Sequence, residues 1–147
     1  MLRTGLLSRT LAILVAFGVG WVVYMVGMVL TVYDGLLSLI FQPILAALWS
    51  GCVVGVSLLV GRFLRVRSIS RIWNGSRRWA ALIAAASLFI LAFGYSLGLT
   101  YVGVNPETHQ QIVVLHPAAA LGGYFFLLFS IANWPNRKAD THGQPAV

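Results

Sequence analysis

Four long segments of the chain are apolar and contain no Asp, Glu, Lys or Arg; they cover residues 11–33, 36–61, 79–104 and 112–134. At 1.5 Å per residue, a helix of each length crosses a hydrocarbon core of about 30 Å. In lipid, only helices and closed barrels pair all their backbone groups, and these segments lack the alternation of barrel strands. The sequence therefore predicts an all-α membrane protein with four transmembrane helices, arranged as two antiparallel hairpins.

The composition excludes a soluble globular domain. Of the 147 residues, 59% are hydrophobic and 9% are charged, with a mean hydropathy of +0.88. An ordinary soluble domain has about 25% charged residues, so this chain has too little polar surface to cover a water-soluble particle. The single cysteine, Cys52, also excludes an internal disulfide scaffold. We therefore assign residues 1–134 to one transmembrane domain.

The basic residues are segregated in this four-span topology. All ten Lys and Arg residues lie before the first span, between the second and third, or after the fourth. The other two connections contain the acids Asp34 and Glu107 and no basic residue. Because Lys and Arg collect in cytoplasmic loops, we predict that both termini are cytoplasmic and that the protein lies in the plasma (inner) membrane. Residues 135–147 are predicted to form a flexible cytoplasmic tail.

The connection 62–78 is rich in arginine, and apolar residues alternate with the charges. Such a segment binds anionic lipid headgroups, at about 1 kcal/mol per basic residue near the surface. Arginine also suits bidentate pairing with the carboxylates of a partner subunit. Nucleic acid is not an expected partner, because no aromatic stacking platform accompanies the charge. The predicted lipid- or partner-binding residues are Arg62, Arg65, Arg67, Arg71, Arg77 and Arg78.

A polar cluster precedes the fourth span, and its helix has two possible starting points. With Asn105 as N-cap, His109 and His116 would share one helical face, about 10 Å apart. With Pro117 as the first helical residue, residues 108–115 would be a partly extended lead-in. In both interpretations His116 lies at a backbone irregularity near the outer membrane boundary.

His116 is the candidate functional residue, because an ionisable side chain at membrane depth indicates function. It is a weak candidate for binding haem shared with a partner, because no other span contains a histidine. It is also a candidate for a transition-metal site with His109, Glu107 and Asp34, or for a proton or quinone pathway. The structural alternative is a histidine hydrogen-bonded to the backbone beside Pro117. We expect no catalytic residue and no resident cofactor.

Small residues recur four positions apart in the spans, which favours close contact between helix backbones in lipid. We expect these residues to face neighbouring helices, either within the chain or in another subunit. They include Gly20, Gly51, Gly55, Ala80, Ala84, Ser87, Gly94 and Gly98.

Three functional hypotheses follow from these patterns. The first is a non-catalytic accessory or assembly subunit of a larger membrane complex, such as a respiratory or electron-transfer complex. The alternative is a small oligomeric transporter or channel for a proton, ion or small solute, with His116 and the outer polar cluster as its site. The third is a membrane enzyme built on that cluster, which has the least support. The expected partners are membrane lipids, including anionic headgroups, and other membrane subunits or further copies of the chain.

Overall fold

The computed structural model describes residues 2–31, 35–65, 77–104 and 109–135. Within these ranges the protein has four helices and one small antiparallel sheet. The elements are α1 (Leu2–Thr31), α2 (Gly35–Arg65), α3 (Arg77–Phe93), β1 (Thr100–Val104), β2 (Gln111–Leu115) and α4 (Pro117–Ala132).

The chain is mostly helical, as predicted, and two helices have the length and composition needed to cross a membrane. Their apolar stretches are Leu7–Met28 in α1 and Ile40–Leu64 in α2. α3 and α4 are shorter, with 17 and 16 residues. At 1.5 Å per residue each covers about 25 Å, which is slightly less than the hydrocarbon core.

The all-α prediction is wrong at one place, because β1 and β2 form a hairpin between α3 and α4. The predicted helical segments 79–104 and 112–134 are helical only up to Phe93 and only from Pro117 onward. The strands pair from Thr100↔Leu115 to Val104↔Gln111. They are rich in β-branched residues, which favour extended backbone. An apolar run alone does not distinguish a helix from such a strand.

Gly98 ends the helical turn that follows α3. It has a φ of +74°, which glycine adopts at little cost. The Leu99 N–H donates to the Gly94 carbonyl at 2.9 Å, and the Gly98 N–H donates to the Tyr95 carbonyl at 3.2 Å. These two bonds form a Schellman motif. Gly98 therefore terminates a helix. The sequence had suggested instead that Gly98 packs against a neighbouring helix.

α4 is the central helix of the bundle, in contact with α1, α2 and α3. Along α2 and α4 the contacts advance in the same direction, from Ser50–Tyr124 to Ser57–Asn133. Along α3 they run in the opposite direction, since Leu91 lies beside Gly123 and the start of α3 contacts Pro135. α1 packs on both α2 and α4.

The core is small and lies along α4. Its members are Ala16, Val54, Tyr124, Leu128 and Ala132, all buried. On α3, Ala80 and Ser87 are buried and face α4, as the small-residue pattern predicted. Large apolar side chains are exposed on the remaining surface of every helix, which is typical of helices that contact lipid or other membrane subunits.

Gly20 and Gly18 offer a matched test of this core. A Cβ at Gly20 would lie 2.9 Å from both the Leu128 side chain and the Tyr124 hydroxyl, whereas a Cβ at Gly18 would meet open space. Overpacking typically costs about 1–3 kcal/mol. We expect Gly20→Val to lower the unfolding temperature in detergent markedly and Gly18→Val to leave it nearly unchanged. Equal shifts in the two variants would contradict this packing.

Candidate functional site

His116 lies between the last residue of β2 and the first residue of α4. Its Nδ1 accepts a hydrogen bond from the Ala118 N–H at 3.2 Å, and its own N–H donates to the Leu99 carbonyl at 2.8 Å. Its ring meets the edge of the Tyr101 ring, with centroids 6.2 Å apart. His116 is therefore the N-cap of α4, and Pro117 is the first helical residue, as the second of the two starting points predicted.

The cap bond constrains the ligand chemistry of His116. A neutral imidazole that accepts at Nδ1 carries its proton on Nε2. Metal ligation through Nε2 would move the proton to Nδ1, and ligation through Nδ1 would use the same lone pair as the cap. Either mode therefore breaks the bond to Ala118. The structure thus gives His116 a capping role, and its proposed roles as a haem or metal ligand stay predictions.

Of the proposed metal partners of His116, the structure describes His109 alone, and the strand β2 separates it from His116. His109 is exposed, has a φ of +53° and precedes β2, while His116 follows that strand. Five strand residues cover about 17 Å, so the prediction that the two histidines share a helical face is wrong. Asp34 and Glu107 lie outside the described residues. Among those described, no group of three His, Cys, Asp or Glu side chains is close enough to hold a metal ion.

The predicted lipid-binding arginines are described only in part. Arg62, Arg77 and Arg78 are exposed, and the Arg77 Nε donates to the Pro135 carbonyl at 3.3 Å. Pro135, which the sequence assigned to the flexible tail, is buried. Arg65 is the last residue of α2, whereas Arg67 and Arg71 lie outside the described residues. Lipid binding by this group stays a prediction.

The sequence interpretation missed a buried polar group, which we call the Tyr124 cluster: the side chains of Tyr124 and Ser50 and the backbone carbonyl of Gly20. The Tyr124 hydroxyl donates to the Gly20 carbonyl at 3.0 Å. It also lies 2.8 Å from Ser50 Oγ, which is 2.6 Å from the Ala46 carbonyl. These contacts join α1, α2 and α4 through one phenol group.

Two further hydrogen bonds cross between helices. The Asn133 Nδ2 donates to the Ser57 carbonyl at 3.0 Å, just after the end of α4. Gly61 faces this side chain so closely that any Cβ there would overlap the Asn133 carboxamide. The Trp21 indole N–H donates to the Pro43 carbonyl at 3.0 Å, which links α1 to α2. Together with the Tyr124 cluster, these bonds connect helix to helix, and in membranes such bonds stabilise helix association by about 0.6–2 kcal/mol each.

A signal for these contacts was present in the sequence. On α2, Ala46, Ser50, Ser57 and Gly61 recur at helical spacing and lie on one face. The sequence interpretation chose Gly51 and Gly55 instead. Both are exposed; a Cβ at Gly55 would meet open space, whereas one at Gly51 would lie 3.9 Å from the Phe17 ring. The position of Gly55 therefore does not pack within the chain.

Removing the Tyr124 hydroxyl should loosen the bundle. We expect Tyr124→Phe to reduce the free energy of unfolding in detergent by about 0.5–1.5 kcal/mol, because Gly20 and Ser50 lose their shared partner. Tyr95→Phe is the matched control, since Tyr95 is exposed. In a double-mutant cycle, Ser50→Ala should cost less in the Tyr124→Phe background. Additive losses would show that the two hydroxyls are not coupled.

His116 should be replaceable by another capping residue. We expect His116→Ala to destabilise the start of α4 by about 1 kcal/mol and His116→Asn to restore most of that loss, because asparagine is a strong N-cap. Amide hydrogen exchange at Ala118 and in the following turn would measure the effect. If His116→Asn behaved like His116→Ala, the imidazole would have a role other than capping.

No family model matches the chain, and neither the curated proteins nor the solved structures contain a significant match. What the protein does must therefore follow from its own residues. Those residues form a hydrogen-bonded polar interior, an exposed apolar surface and a charged end with exposed arginines on α1, α2 and α3.

Proposed function

We propose that the chain is a four-span integral membrane protein with both termini in the cytoplasm, and that it serves as a non-catalytic accessory subunit of a larger membrane complex. A respiratory or electron-transfer assembly is one such complex. The four spans of the chain are α1, α2, α3 and α4. Because α3 and α4 are shorter than the hydrocarbon core, the base of the hairpin supplies the remaining length at the outer boundary.

The depth of the Tyr124 cluster supports the four-span arrangement. Along α1, Gly20 lies about 16 Å from Arg9, and along α2, Ser50 lies about 18 Å from Arg62. Contact with Tyr124 brings Gly20 and Ser50 to the same level. Two exposed arginines on different helices are thus at nearly equal distances from one buried cluster. This distance is close to half the hydrocarbon thickness of about 30 Å, which fits one membrane boundary at the arginines.

The observation that carries the functional proposal is the closed interior. Every ionisable Arg or His side chain whose burial the structure describes is exposed: Arg9, Arg62, Arg77, Arg78, His109 and His116. The hydroxyls of Ser50, Ser57 and Ser130 donate to carbonyls of their own helices, and the Tyr124 hydroxyl donates to the Gly20 carbonyl of α1. At the level of Tyr124, Gly20 leaves no space for a Cβ. A transport site near the midplane usually needs ionisable groups or a cavity, so this interior favours a structural role.

The outer surface of the helices supports association with other subunits. α3 contacts α4 extensively and leaves Leu82, Phe89 and Phe93 exposed. On α2, Gly51 and Gly55 are exposed and the space beside Gly55 is open, and small-residue faces allow close helix approach in lipid. A subunit that packs between larger partners needs such surfaces.

Reporter fusions test the topology. A reporter that is active only in the cytoplasm should be active after Val147 and inactive when inserted within residues 105–108. A reporter that is active only outside should give the opposite result. Activity of the same reporter at both positions would contradict the four-span topology.

Native purification tests the accessory role. Purified in mild detergent, the tagged chain should carry larger membrane proteins in fixed stoichiometry, as measured by mass spectrometry. Gly55→Leu should reduce this co-purification without lowering the chain's own unfolding temperature, because the Cβ meets open space. Purification of the chain alone, together with ion or proton flux through it in liposomes, would favour the transporter hypothesis.

A further inference from the structure

The β-hairpin has two apolar faces, and both are largely exposed. One face contains the cross-strand pair Val102–Val113, and the other contains Tyr101–Val114. Val102, Val104, Val113, Tyr101 and Ile112 are all exposed. Residues 94–104 and 109–116 contain no Asp, Glu, Lys or Arg. A hairpin in bulk water normally turns a polar face to solvent, and this one has none.

The backbone of the hairpin excludes the hydrocarbon core as its location. In the described part of the chain the sheet has two strands, so each strand has an outer edge whose N–H and C=O groups have no partner strand. Unpaired backbone groups of this kind are strongly unfavourable in hydrocarbon, which offers them no hydrogen-bond partner. The hairpin therefore requires surroundings that accept apolar side chains and also supply hydrogen bonds.

The lengths of the flanking helices place the base of the hairpin at such a location. From the arginine end, α3 and α4 rise about 25 Å, roughly 5 Å short of the opposite boundary of the hydrocarbon. The Schellman turn after Phe93 and the cap at His116 lie in this interval. β1 and β2 therefore begin near the boundary between acyl chains and headgroups.

We propose that the hairpin is an interfacial element that binds the lipid surface of the outer leaflet, with its apolar side chains among the upper acyl chains and its backbone edges hydrated in the headgroup layer. This inference rests on the proposed insertion of the helices in a membrane. It adds a specific lipid contact made by strands, which the four-span arrangement by itself does not require.

Exposed aromatic side chains follow one another along the chain from the end of α3 into the hairpin, and the tyrosines among them favour lipid over a protein strand as the occupant. Exposed Phe89 and Phe93 lead into exposed Tyr95, and Tyr101 follows in β1. Tyrosines are enriched at membrane interfaces, where the ring is apolar and the hydroxyl is hydrated. The tyrosines thus lie where the depth estimate places the boundary.

Spin labels in lipid vesicles test the proposal. In a Cys52→Ser background, single cysteines replace Val102 and Ile112, one on each face of the hairpin. The lipid reference replaces Leu14, which is exposed on α1, and the water reference is a cysteine appended after Val147. The measured quantity is the ratio of collisions with oxygen to collisions with a water-soluble nickel chelate. We expect both hairpin labels to give ratios several-fold above the water reference and below the lipid reference.

Three results would overturn the proposal in distinguishable ways. Hairpin labels that match the water reference would place the hairpin outside the membrane. Labels shielded from both oxygen and nickel would indicate a protein cover, either a partner strand or a second copy. If the Leu14→Cys label matched the water reference as well, the insertion of the helices itself would fail.

Discussion

The hydroxyl of Tyr124 links three helices, because from α4 it donates to the Gly20 carbonyl on α1 and lies 2.8 Å from Ser50 Oγ on α2. Its position depends on Gly20, whose lack of a side chain lets the phenol and Leu128 approach the α1 backbone. In lipid the hydrophobic effect contributes little to helix association, so close packing and hydrogen bonds decide it. The remaining inter-helix bonds, at Asn133 and Trp21, extend the same principle along the helices.

The sequence was most informative for properties of whole segments, namely their length and hydrophobicity. Apolar runs of membrane length predicted the helices, and α1 and α2 lie where expected. The prediction failed for residues 94–116, because lipophilicity does not specify backbone conformation and the β-branched residues there are as apolar as a span. Gly98 and Pro117 mark the two helix boundaries in this segment: Gly98 terminates the turn after α3, and Pro117 is the first residue of α4.

At the candidate site, too, the sequence identified one feature and missed another. The sequence correctly singled out His116 as lying at a backbone irregularity, and the structure gives it a capping bond. The Tyr124 cluster was missed because its parts lie far apart in the chain. Only packing of three helices brings a glycine, a serine and a tyrosine together. Two adjacent faces of α2 differ in burial: Gly51 and Gly55 are exposed, whereas Ser50 and Ser57 are buried. Their composition alone does not distinguish them.

The central position of α4 has a consequence for biogenesis. α4 is the last described helix, yet α1, α2 and α3 all pack against it. A ribosome delivers the other three before the helix that joins them exists, so the bundle closes only after α4 has been synthesised. Until then, the Ser50 hydroxyl and the Gly20 carbonyl lack their partner Tyr124, which lies more than seventy residues downstream. The nascent chain thus passes through a stage in which the surfaces of α1, α2 and α3 that α4 later covers are exposed.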